Sequence, residues 1–185
     1  MAKKLDQILV IDVESTCWEG EPPEGQESEI IEIGVCPLDV TSCERVERES
    51  ILVKPQRSTV SLFCTRLTTL TQAEVETGIS FKEACKILRE KYLSKSRTWA
   101  SYGDYDRRQF KRQCGSRNIA YPFGPTHINV KNLLAIAYNL PREIGMAAAL
   151  DLLDLSLEGT HHKAGDDAWN IAGILSVLIT RLRSA

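Results

Sequence analysis

Apolar residues in this chain follow two different rhythms. Near the start, Ile8-Leu9-Val10-Ile11-Asp12-Val13-Glu14 is short, β-branched and apolar on both parities until it meets two acids. This predicts a β-strand covered on both faces. Glu29 to Val40 and Glu44 to Lys54 carry apolar runs or alternation and predict two more strands, with the turn at Thr41-Ser42. The polar stretch Trp18 to Ser28 and the segment Pro55 to Val60 read as loops. Further on, the rhythm becomes helical. Thr71 to Gly78 predicts a short helix, and Ser80 to Leu93 an amphipathic one with Phe81, Ala84, Cys85, Leu88 and Tyr92 on one side. Ser80 and Glu83 supply a capping box for it. Thr98 to Tyr102 and Thr126 to Asn129 predict short strands; a helix opens at Gly103-Asp104 and ends near Gly115. Val130 to Asn139, Gly145 to Leu155 and Ala164 to Leu182 predict helices, the last with apolar residues at helical spacing throughout. Three strands followed by strand–helix alternation predict an α/β chain with a mixed sheet flanked by helices.

Acids interrupt this pattern in an informative way. Residues two apart on a strand share a face, so Asp12 and Glu14 point the same way from a strand that is otherwise apolar. At about 6.6 Å apart they repel by roughly 2–3 kcal/mol at an effective dielectric near 20. A hard divalent cation, an Arg or Lys partner, or a raised carboxyl pKa would offset that repulsion. Acids recur in Tyr102-Gly103-Asp104-Tyr105-Asp106 and in His161-His162-Lys163-Ala164-Gly165-Asp166-Asp167, each at the head of a predicted helix, where the macrodipole tolerates negative charge. Taken singly, each has an ordinary reading: Asp104 as an N-cap, Asp106 as a first-turn acid, Asp166 as a dipole-complementing acid and His161 as a solvated loop histidine. Together they form a constellation of D-x-E, a second acid after another strand, and His-x-x-x-x-Asp entering the last helix.

Composition narrows the setting. The 185 residues suffice for one domain with a proper core, and 43% hydrophobic and 26% charged residues are ordinary for a globular chain. The net charge of −2 argues against a nucleic-acid-coating role, yet leaves room for an enzyme whose bound cations supply positive charge. No run is long enough to span a bilayer, and Met-Ala-Lys-Lys-Leu-Asp lacks the features of a signal peptide. Six scattered cysteines without a C-x-x-C pair fit reduced thiols, so a cytoplasmic location without membrane partners is expected.

With these motifs in place, the sequence resembles the DEDDh family of 3′→5′ exonucleases. Asp12 and Glu14 match the first family motif, Asp106 the second, and His162 with Asp167 the third. Within the family it is most similar to the Eri-1-like subgroup. Phe63-Cys64-Thr65-Arg66-Leu67-Thr68-Thr69-Leu70-Thr71-Gln72, Asn129-Val130-Lys131-Asn132-Leu133 and Asp166-Asp167-Ala168-Trp169-Asn170-Ile171-Ala172 carry that similarity. It spans nearly the whole chain, read as a single exonuclease domain. Lys163-Ala164-Gly165 departs from the family pattern, in which a glycine more often stands two places after the histidine.

The resemblance implies a ribonuclease H-like mixed five-stranded sheet and two divalent metal ions, Mg²⁺ or Mn²⁺. It implies that Asp12 bridges the ions, Glu14 and Asp167 hold one, Asp106 serves the other through water, and His162 is the general base. The implied partner is nucleic acid, RNA and/or single-stranded DNA 3′ ends, cut to nucleoside 5′-monophosphates; protein partners are unspecified. Ser15, Thr16, Cys17, Trp18, Phe63 and Leu67 are the candidate substrate contacts, with core packing the competing role for Phe63 and Leu67. Arg107, Arg108, Lys111 and Arg112 form a basic cluster suited to phosphates or to a solvated helix face. Two other readings stand beside this one. A catalytically weak nucleic-acid-binding module within a larger complex fits the brevity and slight acidity of the chain. A zinc hydrolase using His161 and His162 is disfavoured, because adjacent histidines without a third nearby ligand make poor zinc geometry.

Overall fold

The computed structural model describes residues 4–184. Five strands form one mixed sheet: β1 Lys4–Ser15, β2 Ile30–Asp39, β3 Glu49–Leu52, β4 Arg97–Ser101 and β5 His127–Asn129. Their spatial order is β3-β2-β1-β4-β5. β2 runs antiparallel to both β1 and β3, whereas β1, β4 and β5 are parallel. Seven helices surround the sheet among the described residues: α1 Leu62–Thr68, α2 Gln72–Glu76, α3 Phe81–Glu90, α4 Tyr105–Ser116, α5 Val130–Ala137, α6 Met146–Leu152 and α7 Ala164–Arg183. None is long and apolar enough to cross a membrane.

The two parities of β1 explain why it is central. Leu9, Ile11 and Val13 pack with Phe81, Leu88, Phe110 and Phe123 on one face, and Ile8 and Val10 pack with Leu134, Ala168, Ile171 and Leu175 on the other. α3 and α4 thus cover one side, α5, α6 and α7 the opposite side. α3 begins with the expected capping box: Ser80 and Glu83 bond reciprocally. α7 lies closest to the sheet. A β-carbon built on Gly34 would stand 1.8 Å from the carbonyl oxygen of Ala164, so only glycine lets the head of α7 touch β2. Glu32, buried two residues before, completes the junction by accepting the Ala164 backbone N–H at 2.9 Å.

Two expectations need correction, and one helix stands where no element was predicted. The third strand is Glu49–Leu52 only. Residues 44–48, Glu-Arg-Val-Glu-Arg, contribute a single bridge, between Arg45 and Leu38, and Val46 is exposed; their charges prefer water and the acids of the 158–166 segment. Leu62–Thr68 is a helix that the alternation did not announce, capped by the Ser61 hydroxyl accepting from the Cys64 N–H at 3.0 Å. Asp104 occupies the N-cap position of α4 but makes no side-chain cap bond.

Gly34→Ala is expected to lower stability by about 1–3 kcal/mol, the usual magnitude for overpacking, because rigid backbone must retreat; chemical denaturation checks this. An unchanged midpoint would show that α7 does not need so close an approach.

Candidate active site

β1 and β4 remain paired only as far as Val10 and Ala100. Beyond that point the parallel strands part, and side chains from their carboxyl ends and from the heads of α4 and α7 enter the gap, a common place for ligands in α/β sheets. A cavity of about 340 Å³ opens there. Asp12, Glu14, Asp106 and Asp167 all line it, together with His161 and His162. The four acids, separated by up to 155 residues in sequence, therefore share one space.

Local structure aims each of them. A register shift between Glu14 and Ser15 bends the end of β1. Asp106, in the first turn of α4, accepts the Val13 N–H through Oδ1 at 3.0 Å, taking the place of the missing β4 partner. Asp167, in the first turn of α7, is buried at the cavity wall and accepts the backbone N–H of His162 at 3.0 Å. His162 adopts a left-handed φ of 65°. Its Nδ1 stands 3.8 Å from Glu14 Oε1.

The segment carrying the histidines is clamped from behind. Glu158 exchanges two hydrogen bonds with the Asn170 side chain, both at 3.0 Å. Asp166 accepts the Thr160 N–H at 2.8 Å and pairs with Arg48 at 2.9 Å. Arg45 and Arg48 both reach Glu158 and lie over the Trp169 ring. Asp166 thus holds the segment rather than facing the cavity, while the neighbouring Asp167 does face it. Glu32 and the two arginines had no motif to reveal them.

Electrostatics answers the question the D-x-E poses. No lysine or arginine among the described residues pairs with any of the four acids; the basic groups beside them are the imidazoles of His161, at Asp167, and His162, at Glu14. Burial, then the charges of Asp106, Glu14, Asp167 and Glu32, push the Asp12 carboxyl far above its ordinary range. Burial and the neighbouring acids, Asp167 foremost, raise Glu14 to about 9. Burial raises Asp106 to about 7 although the Val13 N–H pulls the other way. Burial also raises Asp167, against the hydrogen bond from His162. His162 is lowered by burial and by His161 beside it, which favours the neutral imidazole. Oxygen atoms of Asp12, Glu14 and Asp167 lie within 4.8 Å of one another. Crowded carboxylate oxygens without a cationic side chain fit hard divalent cations, which compensate such charge.

The candidate substrate contacts divide. Ser15, Cys17 and Leu67 line the cavity. The Ser15 hydroxyl is buried without a hydrogen-bond partner among the described residues, and Leu67 is exposed rather than core. The other three are corrected. Thr16 is fully buried, its hydroxyl accepting the Glu29 N–H at 2.9 Å, so it pins the following loop instead. Trp18 is half-buried in that loop after the chain has left the cavity wall. Phe63 is half-buried one helical turn before Leu67 and belongs to neither cavity lining nor core. Tyr102, Tyr105, Met146 and Ile171, unassigned from sequence, complete the wall; the tyrosines flanking Gly103-Asp104 were the available signal.

The basic cluster also splits. Arg107 and Lys111 line a separate cleft beside Tyr121, Arg108 lies 4.0 Å from Asp104, and Arg112 bonds the Ser28 carbonyl at 2.9 Å.

Fold and cavity together define a cluster of carboxylates, able to hold a cation, at the carboxyl ends of parallel strands. A family model described as Exonuclease, RNase T, matches residues 9–175, and the chain belongs to this exonuclease family. It is similar to rat (Rattus norvegicus) 3′-5′ exoribonuclease 1, with 34% identity over 179 residues, covering 91% of this chain and 52% of the relative. The chain thus spans about half the length of that relative. The probable 3′-5′ exonuclease KapD of Bacillus subtilis is 28% identical over 165 residues, covering 88% of this chain and 80% of its own. Among solved structures, the nuclease domain of 3′hExo, a DEDDh family member bound to rAMP, superposes with a TM-score of 0.87 at 28% identity, covering 98% of this chain and 95% of that one. The five-stranded mixed sheet matches the ribonuclease H-like fold of these exonucleases.

The raised carboxyl groups set a pH dependence. Their proton affinities are higher in the folded than in the unfolded chain, so their contribution is full at low pH and fades as pH rises through about 7 for Asp106 and about 9 for Glu14. Metal-free protein is therefore expected to melt at progressively lower temperature as pH rises from the ordinary carboxyl range through about 7 and about 9, where Asp106 and Glu14 lose their protons. Mn²⁺ should restore stability, more so at the alkaline end. A metal-free melting temperature that climbs over this range would contradict the arrangement.

Proposed function

We propose that this chain is a metal-dependent 3′→5′ exonuclease that releases nucleoside 5′-monophosphates from the 3′ ends of RNA, single-stranded DNA, or both. One observation carries the reading: Asp12, Glu14, Asp106, Asp167 and His162 meet in a single cavity. Support for an RNA substrate comes from two relatives, an exoribonuclease and an rAMP-bound nuclease domain.

Asp12, Glu14, Asp106 and Asp167 would hold two divalent cations, Mg²⁺ or Mn²⁺. Such a pair supplies positive charge to both the attacking and the leaving oxygen of a displacement at phosphorus. The chain's own residues do the remainder. Val13 orients Asp106 through its N–H. His162, partly exposed and with its neutral form favoured by burial and by His161, accepts the proton of the attacking water and passes it to solvent. Leu67 and Tyr105, both exposed at the cavity, offer an apolar edge and an aromatic face for the terminal base, and stacking of this kind contributes about 1–3 kcal/mol. Ser15 and Cys17 line the wall between them and the acids. Against the reading as a catalytically weak binding module stands the completeness of the set, since all five positions are filled.

The test is mononucleotide release from a 3′-hydroxyl oligoribonucleotide and its DNA counterpart, with 3′-blocked controls. His162→Ala is expected to reduce kcat about 10²–10⁴-fold, the usual loss for a general base, and chelation to abolish release. Full activity in His162→Ala would overturn the assigned role; tight oligonucleotide binding in Mg²⁺ without cleavage would favour the module.

A further inference from the structure

Adjacent side chains on an extended backbone point apart. His161 and His162 do not. The left-handed turn at His162 folds the two imidazoles together, with ring centres 3.9 Å apart and planes inclined by 20°. A non-glycine residue held in this conformation is strained and persists only where its surroundings enforce it. Here the enforcing contacts converge on Asp167, which accepts the His162 N–H and lies 2.9 Å from His161 Nδ1. One nitrogen from each imidazole and one Asp167 oxygen lie within 4.8 Å of one another. Both rings are about two-fifths exposed, His161 41% and His162 40%, so an ion reaches them from solvent. The sequence offered two histidines without a third ligand; the fold supplies it.

We propose that His161, His162 and Asp167 form a second cation site, selective for Zn²⁺ or a similar borderline transition ion, which blocks the exonuclease while it is filled. Two imidazole nitrogens and one carboxylate oxygen suit Zn²⁺ once the exposed rings turn out of their stack, so that both in-plane lone pairs meet at the ion, whereas Mg²⁺ favours the all-oxygen set of Asp12, Glu14, Asp106 and Asp167. Glu14 Oε1, 3.8 Å from His162 Nδ1, stands close enough to act as a fourth ligand; otherwise water completes the shell. Asp167 belongs to both donor sets, so the two cannot be fully used at once. Zinc also occupies the lone pair with which His162 would accept a proton. Inhibition follows from that overlap and rests on the function proposed above; zinc binding itself does not. His161 is the discriminating residue, because only the zinc site uses it as a ligand.

The test uses the full chain, stripped of metal, and His161→Asn, whose amide still reaches Asp167. Zn²⁺ is titrated calorimetrically in millimolar Mg²⁺, Co²⁺ is followed by its visible ligand-field bands, and oligonucleotide cleavage is measured against free Zn²⁺ relative to each protein's own zinc-free rate. The expected result is one Zn²⁺ bound by the wild type. His161→Asn should lose at least the roughly tenfold in affinity that even an indirect metal partner contributes, with weaker Co²⁺ bands and a matching loss of zinc inhibition. Thermal melting in Mg²⁺ verifies that the variant is folded. Equal Zn²⁺ affinity and equal inhibition in the two proteins would overturn the proposal even if both degrade RNA. A wild type that binds Zn²⁺ through His161 but never cleaves would leave the site standing and defeat the exonuclease assignment instead.

Discussion

Repulsion among carboxylates at the carboxyl end of β1 is the constraint around which the rest of this molecule is organised. Asp12 and Glu14 leave the central strand on one face, and Asp106 and Asp167 are brought toward them from two helix heads. Burial deepens the conflict, since low-dielectric surroundings raise every carboxyl pKa in the group. Among the described residues no arginine or lysine pairs with these acids to resolve it. A folded protein keeps such an arrangement when an external cation completes it, and the acids are then ligands held apart from water rather than a defect of the core.

Holding the acids in place requires rigid elements at short range. Gly34 removes the one β-carbon that would push α7 away from β2, and Glu32 ties the first turn of that helix to the sheet. Val13 lends its unpaired N–H to Asp106 where the parallel strands separate. Behind the histidines, Arg45, Arg48, Glu158, Asp166 and Asn170 fix a segment that has no regular structure of its own. The orientation of the acids thus comes from backbone amides and partner side chains. The bonds that Asp167 makes to both residues hold His161 against His162.

Much of this was legible in the chain. The D-x-E pair stood out because it breaks an apolar strand, and the alternation of β1 correctly placed helices on both sheet faces. Ala164 to Leu182 announced α7 through its spacing, and the capping box announced α3. What escaped detection depends on tertiary context. Leu62–Thr68 is too short for helical periodicity to register, and the Glu44–Arg48 segment alternates like a strand although its charges are drawn elsewhere. Thr16, Trp18 and Phe63 lie near the motifs in sequence, but a strand bend and one helical turn carry them off the cavity. Glu32 and Gly34 look ordinary until β2 is known to meet the head of α7.

Counting bound cations tests the central claim most directly. Mn²⁺ titrated into metal-free protein and followed by electron paramagnetic resonance should fill two interacting sites per chain in the wild type, as paired-metal chemistry requires, and Asp12→Asn should lose the spin coupling between them. Binding of no Mn²⁺, or an identical coupled spectrum after Asp12→Asn, would contradict an account in which four convergent acids exist to hold a metal pair.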